Sequence, residues 1–303
     1  MSELILNERF TDGSAENTGH AEERPARASG FSRALRGAVT RPGLVISVLV
    51  IALVIVWALA PSLFAHHDPL TGNVAERLQA PSAQHIFGTD NLGRDLWARV
   101  VYGSAQSLAA TFLAVVLALL VGSILGLLAG FLRGWVDDVI MRVMDVVLAI
   151  PTVLLSLAII TALGFGTINV AVAVGFASAA SFARVMRSEV ITISTALYVE
   201  AARASGVRWY TVLRRHVLPN SFGPVLSLSA LEFGTAVLAI SSLSFLGFGA
   251  PPPAPEWGAL ISEGRNYLAT SWWLTTFPGL IIVAVVLAAN RVSRAFEKNG
   301  ATR

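Results

Sequence analysis

Residues 200–220 read EAARASGVRWYTVLRRHVLPN and lie between two long apolar runs. Four arginines, Arg203, Arg208, Arg214 and Arg215, stand there in a chain otherwise rich in Leu, Val, Ala and Ile. Residues 195–205 are strong helix formers, and Ser194 or Thr195 carries an oxygen able to cap their N-terminus. Gly206 follows at the place of a left-handed C-terminal cap, where a Cβ would clash. A second helix over about 208–217 puts Trp209, Val212, Leu213 and His216 on one face, and Pro219 ends it. The pattern predicts a helix–Gly–helix elbow. The small side chains of Ala201 and Ala202 let another protein approach the backbone, and Glu200 adds a single charge. The same residues also suit a solvated loop with an incidental amphipathic helix, or a basic helix resting on lipid.

The surrounding composition sets the solvent. Of 303 residues, 54% are hydrophobic and 14% charged, and the mean hydropathy is +0.66. A soluble domain carries about 25% charged residues. The apolar residues come in runs long enough to cross a bilayer, which takes ~20 residues each. Six crossings are predicted, over 44–64, 107–132, 146–163, 168–183, 225–248 and 272–289. The fourth is short and rich in Ala, Gly and Ser, which suits a helix enclosed by others. With the N-terminus inside, eighteen of the 22 Lys and Arg fall on inner segments. Arg77, Arg94, Arg99 and Arg265 are left outside, so the positive-inside rule gives N-in, C-in. The net charge of +3 then belongs to inner loops and does not call for nucleic acid. The chain contains no cysteine, which excludes disulfides, thiolate metal sites and cysteine nucleophiles.

The expected organisation is a largely disordered inner tail over 1–42, with a short interfacial helix or plain linker at 31–38. A six-helix membrane domain follows over 43–290, with an inner tail over 291–303. In the second crossing Gly122, Gly126 and Gly130 form a small-xxx-small ridge, for a subunit or pore interface or for packing within the chain. Pro151 and Pro278 lie where they would kink the third and sixth crossings.

The elbow resembles the EAA motif of ABC importer permeases: Glu-Ala-Ala, three residues, Gly, nine residues, an aliphatic position, any residue, Leu-Pro. Glu200, Ala201, Ala202, Gly206, Leu218 and Pro219 hold that spacing. His216 replaces the preferred Ile, and His216-Val217-Leu218-Pro219-Asn220 resembles the peptide-transporter branch. Residues 87–103 (FGTDNLGRDLWARVVYG), 133–151, 243–258 and 272–279 are similar to that branch in the same order, and 87–103 and 243–258 suggest its second, C-type permease. Two departures are the exit NRVSRAFEKN, which lacks the usual acidic ending, and Ile240, where many relatives carry an acid. The resemblance implies an ABC type I importer permease fold, all-α with six membrane helices, in a bacterial plasma membrane. It implies that 195–219 couples to ATPase subunits, and that a homologous permease, two ATP-binding subunits and an extracytoplasmic solute-binding protein are partners. The implied solutes are short peptides, nickel chelates or other small molecules. No cofactor is expected on this chain; ATP and Mg would be used by the ATPase subunits.

Other residues are of types that carry chemistry. Glu232 is a charge inside the fifth crossing, which costs ~2.5–3.5 kcal/mol on insertion scales. It suits the translocation path, a hydrogen bond to a neighbouring helix, or a shallow position. Asp145 is expected to pair with an inner arginine such as Arg142. His66, His67, Asp68 and His85 are metal-ligand types without diagnostic spacing, and no metal site is assigned to them. Residues 90–95 (DNLGRD) lack the ligand pattern of a calcium loop and are expected to form a turn capping a short helix. Phe245, Gly247, Pro251–Pro253 and Trp257 are expected in a rigid outer loop with aromatics at the membrane interface. The chain has no Walker A sequence, nor any nucleophile or zinc-protease motif, so it is not expected to be an enzyme. The competing reading is an ATP-independent secondary transporter or channel with Glu232 in its path.

Overall fold

The computed structural model describes residues 42–300. The 1–42 tail and the 31–38 helix expected from sequence lie outside the described residues, apart from Pro42. The described elements, in order, are α1 (Pro42–Leu59), α2 (Leu96–Leu132), α3 (Gly134–Ala149), α4 (Thr152–Leu163), α5 (Thr167–Ser194) and α6 (Leu197–Ala204). They are followed by α7 (Trp209–Phe245), α8 (Trp257–Gly264) and α9 (Trp273–Gly300). Five of these helices are long and apolar enough to cross a membrane, and the count is six when the bent pair α3 and α4 is one span.

That pair breaks at Pro151, where a kink is expected, but it begins at Gly134, twelve residues before the crossing expected over 146–163. The two helices meet at 99°. Pro151 supplies no N–H and drives the residue before it out of the helical region; Ile150 accordingly sits at φ −96°, ψ 129°. With 12 residues, α4 is only about 18 Å long, too short to cross ~30 Å of hydrocarbon alone. The fourth crossing errs the other way. Expected to end at 183, α5 runs 28 residues to Ser194. It is the most enclosed of the long helices, with 56% of its apolar window buried. α2 begins at Leu96, eleven residues before the predicted span, and α9 continues through the boundary drawn at 290.

α2 and α5 form the most extensive helix pair. The glycine ridge explains their closeness. A Cβ on Gly122 would strike the Ala179 carbonyl, one on Gly126 the Ala183 carbonyl, and one on Gly130 the Arg187 carbonyl at 2.9 Å. Of the two uses open to the ridge, the structure shows packing within the chain.

Besides a small cluster about Met144, Ala180 and Ala183, two large apolar cores result. One joins α2, α4, α5 and α7 through side chains such as Ile160, Val174, Phe182 and Leu243. The other lies toward the opposite end, where Trp57, Trp257 and Trp273 gather α1, α2, α8 and α9. Trp257, expected at the membrane interface, is instead fully buried, and its indole N–H donates to the Val100 carbonyl at 3.0 Å.

Between α1 and α2 the chain forms a cap of short turns that packs on α2 and α8. Asp95 caps α2 by accepting from the Ala98 amide at 2.8 Å, so the helix it starts is the 37-residue α2 and not a short one. Gly93 holds φ +76° against the Asn73 backbone, where a side chain would collide. Asp90 is buried and accepts from Arg94 Nε at 2.6 Å and from an Arg99 terminal nitrogen at 2.8 Å. Both arginines also reach Glu263 of α8, at 3.0 and 2.6 Å. Three charges close in sequence thus pair with one another and, through Glu263, with α8.

Candidate functional site: an arginine-rich elbow and a membrane cleft

The elbow exists, with its parts arranged differently from the expectation. α6 spans eight residues and has Ala196 at its N-cap without a side-chain bond. Ser194 ends α5 instead and is buried, while the Thr195 hydroxyl bonds back to the Ile191 and Thr192 carbonyls. Neither is the cap expected of it. Gly206 does adopt the left-handed conformation, at φ +79°. The Gly206 amide donates to the Arg203 carbonyl at 3.0 Å and the Val207 amide to the Ala202 carbonyl at 3.2 Å. This is the double bond pattern that satisfies the last carbonyls of a helix.

Pro219 does not end the second helix. α7 runs unbroken from Trp209 into the membrane-spanning stretch and ends at Phe245. A π-turn over Leu213–Val217 makes this possible: the Leu218 amide reaches back five residues to the Leu213 carbonyl. The wider turn absorbs the N–H that proline lacks. The Asn220 side chain covers the His216 carbonyl at 2.6 Å. The second arm of the elbow and the fifth crossing are therefore one continuous rod.

Three valines, one on α6 and two on α7, fasten the elbow to the bundle. Val199, Val212 and Val217 are each 0% exposed and belong to the same core as α2, α5 and α7. Complete burial of such a side chain is worth about 1.5–3 kcal/mol. The Tyr198 and His216 rings meet edge to face with centroids 6.2 Å apart, tying α6 to the π-turn. The other face is open. Leu197 is 83% and Trp209 65% exposed, with Tyr198 and Tyr210 beside them. Glu200, Ala201, Gly206 and Pro219 are also exposed, and Ala202 and Leu218 are partly so. Of the face assigned from sequence, Val212, Leu213 and His216 turn inward, whereas Trp209 turns out. Of the three buried valines, Val199 and Val217 were the part missed; their spacing about Gly206 was the available signal.

Ion pairs hold α3 against α5 on the way to the elbow. Asp145 pairs with Arg184 at 2.8 Å, not with Arg142 as expected. Its partner sits across a helix interface, beyond the reach of a rule based on sequence neighbours. Asp137 is held by two nitrogens of Arg187, one of them at 2.6 Å.

Glu232 lies on α7 and lines a cleft of about 330 Å³ with residues from α3, α4 and α5. The Thr235 hydroxyl lies 3.0 Å from Glu232 Oε2. Thr152, Ser178, Ser181 and Ser242 add further hydroxyls to the lining, and no Lys, Arg or His is part of it. Glu232, Thr235 and Ser242 recur at helical spacing along one face of α7, a pattern visible in the sequence but not drawn from it.

His66, His67 and Asp68 are exposed, whereas His85 is buried with Nδ1 2.9 Å from Asp95 Oδ1. Among the described residues no three His, Cys, Asp or Glu side chains converge as a metal site.

The description "binding-protein-dependent transport system inner membrane component" fits residues 122–299, which contain the elbow, the cleft and the last three crossings. The chain belongs to that family. It is 36% identical over 248 residues to the dipeptide transport system permease protein DppC of Alkalihalophilus pseudofirmus, covering 82% of each chain. It is 36% identical over 272 residues to the probable D,D-dipeptide transport system permease protein DdpC of Escherichia coli K12, covering 88% of this chain and 90% of that one. Identity reaches 45% over 210 residues, 69% of each chain, with the glutathione transport system permease protein GsiD of Shigella flexneri. Among solved structures, a chain of the MetNI methionine ABC transporter in an inward-facing form shares the fold. Its TM-score is 0.53 at 19% identity, over 65% of this chain and 96% of that one. The chain is thus a multi-pass inner-membrane permease subunit of an ABC transporter and not itself an ATPase. Membership of a binding-protein-dependent family sets aside the ATP-independent carrier.

Proposed function

We propose that the chain is one of two homologous permease subunits of an importer for short peptides, and that residues 195–219 dock into its ATPase subunits. Two ATP-binding subunits, using ATP and Mg, would sit under the elbows, and a solute-binding protein would deliver peptide at the opposite face. The peptide assignment follows the relatives, whose printed substrates are dipeptides, D,D-dipeptides and glutathione.

The observation that carries the coupling role is the two-sidedness of the elbow. Three fully buried valines fix one face to the membrane core, while Leu197 and Trp209 lie open on the other. A push on the open face is transmitted without slack, because the π-turn keeps α7 continuous from Trp209 to Phe245. ATP binding that favours the closed ATPase pair then shifts the bundle between its two states through this lever. Glu232 and its hydroxyl-lined cleft form part of the translocation path.

The test is co-purification and uptake. Gly206→Pro removes an amide donor and cannot hold φ +79°; Ala201→Trp with Ala202→Trp fills the approach surface. Both variants are expected to insert normally yet lose the ATPase subunits or uncouple them. ATP-driven peptide uptake at the unmodified rate in proteoliposomes would reject the docking role.

A further inference from the structure

The Glu232 cleft has a chemical character that the path reading leaves unassigned. A carboxylate on a membrane-spanning helix needs a counter-charge, a proton or water. Among the described residues that line its cleft there is no cation; the Thr235 hydroxyl at Oε2 is the contact the chain provides. The remaining polar lining is uncharged, with Ser178 and Ser181 from α5, Thr152 from α4 and Ser242 from α7. The volume of about 330 Å³ falls at the lower end of small-molecule sites, which run ~300–1,000 Å³. One acceptor charge among neutral hydroxyls is the complement of a small solute with one cationic end and several amides.

We propose that this cleft is a recognition station for the α-ammonium group of a transiting peptide, with Glu232 as its counter-charge. The proposal rests on the reading of the cleft as part of the path. A peptide ammonium entering the bilayer and a carboxylate held there each cost desolvation energy, and each lowers the other's cost when they meet. Three N–H donors of the ammonium match the carboxylate oxygens, and charge-assisted bonds are about twice as strong as neutral ones. The hydroxyls exchange bonds with whichever peptide amides pass. Such a station reads the feature common to short peptides and ignores their side chains.

The experiment uses the complete permease–ATPase complex in lipid nanodiscs, without the binding protein, so that external capture does not enter. Equilibrium dialysis compares tri-L-alanine with N-acetyl-tri-L-alanine, on the unmodified complex and on Glu232→Gln and Glu232→Asp. The unmodified complex is expected to hold the free-amine peptide about tenfold more tightly than the acetylated one. Glu232→Gln should abolish that preference, and Glu232→Asp should keep most of it. Equal binding of the two probes to the unmodified complex, or an undiminished preference in Glu232→Gln, overturns the proposal. So does dissociation of the two permease subunits in Glu232→Gln with retention in Glu232→Asp, which would make a residue of the second permease the counter-charge. Tri-L-alanine uptake per ATP in proteoliposomes with the binding protein separates this from the parent reading. If Glu232→Gln reduces uptake while both probes bind equally, the path reading stands and the ammonium station falls. If uptake per ATP is unchanged, the cleft lies off the path.

Discussion

The cap at one end of the molecule and the elbow at the other solve opposite problems with similar residues. Both carry arginines and acid beside a tryptophan. In the cap, Asp90, Arg94 and Arg99 are buried and bonded to one another and to Glu263, and Trp257 is sealed inside. In the elbow, Arg203, Arg208, Arg214 and Arg215 face out beside an exposed Trp209. The cap is closed on itself; the elbow gives one face, centred on three valines, to the core and leaves the other open. Internal satisfaction marks a part built for stability, and an anchored but open face marks a part built for a partner.

This contrast breaks first, and hardest, in the cap. Arg99→Ala should leave buried acids under-compensated and destabilise the folded bundle by about 3–5 kcal/mol, read as a lowered thermal midpoint of the complex in nanodiscs. Along the helix pair that joins the two ends, Gly126→Val should cost about 1–3 kcal/mol by overpacking against the Ala183 carbonyl, seen in the same melt. Ala201→Trp in the elbow should leave the midpoint of the permease pair, measured without ATPase subunits, unchanged to the equivalent of about 0.5 kcal/mol. It should weaken ATPase association by tenfold or more, measured by pull-down. A fall in the midpoint matching that of Arg99→Ala would show that the elbow, too, is chiefly a stability element.

The smallest effect concerns Glu256, just ahead of α8. It is fully buried, and burial pushes its carboxyl above the usual range; the Ser244 side chain and the Gly258 and Ala250 amides face it and oppose that shift only in part. None of the three reaches a full hydrogen bond with it. Because the folded chain holds this proton more tightly than the unfolded chain, the contribution to stability is complete below the ordinary glutamate value, about 4.3. It is lost as pH rises through the elevated folded value. The melting midpoint should therefore decline as pH climbs from that range, and Glu256→Gln should flatten the decline. A decline of the same steepness in Glu256→Gln would move the titration to another group.

Much of this was legible in the sequence, and the failures share a cause. Apolar runs, the arginine bias and Gly206 are signals within one turn or one helix, and they located the crossings and the cap of α6. The α3–α4 bend falls at Pro151, which the sequence marks, whereas the Asp145–Arg184 pair and the burial of Trp257 depend on what lies across a helix interface. Pro219 misled for a local reason: a proline ends a helix only where the ladder cannot widen, and the π-turn before it widens the ladder. At the site, the spacing of Glu200, Ala201, Ala202, Gly206, Leu218 and Pro219 singled out the elbow. The hydroxyls around Glu232 come from three helices and became a group only in the fold.

Because the chain contains no cysteine, one introduced at Ala201 is a unique reporter on the central claim. In the assembled complex, Ala201→Cys is expected to be shielded from a thiol reagent applied to the ATPase side and to form a short-spacer crosslink to an ATPase subunit. Unhindered labelling from that side with no crosslink, or labelling by an impermeant reagent from the opposite side of the membrane, would contradict the account.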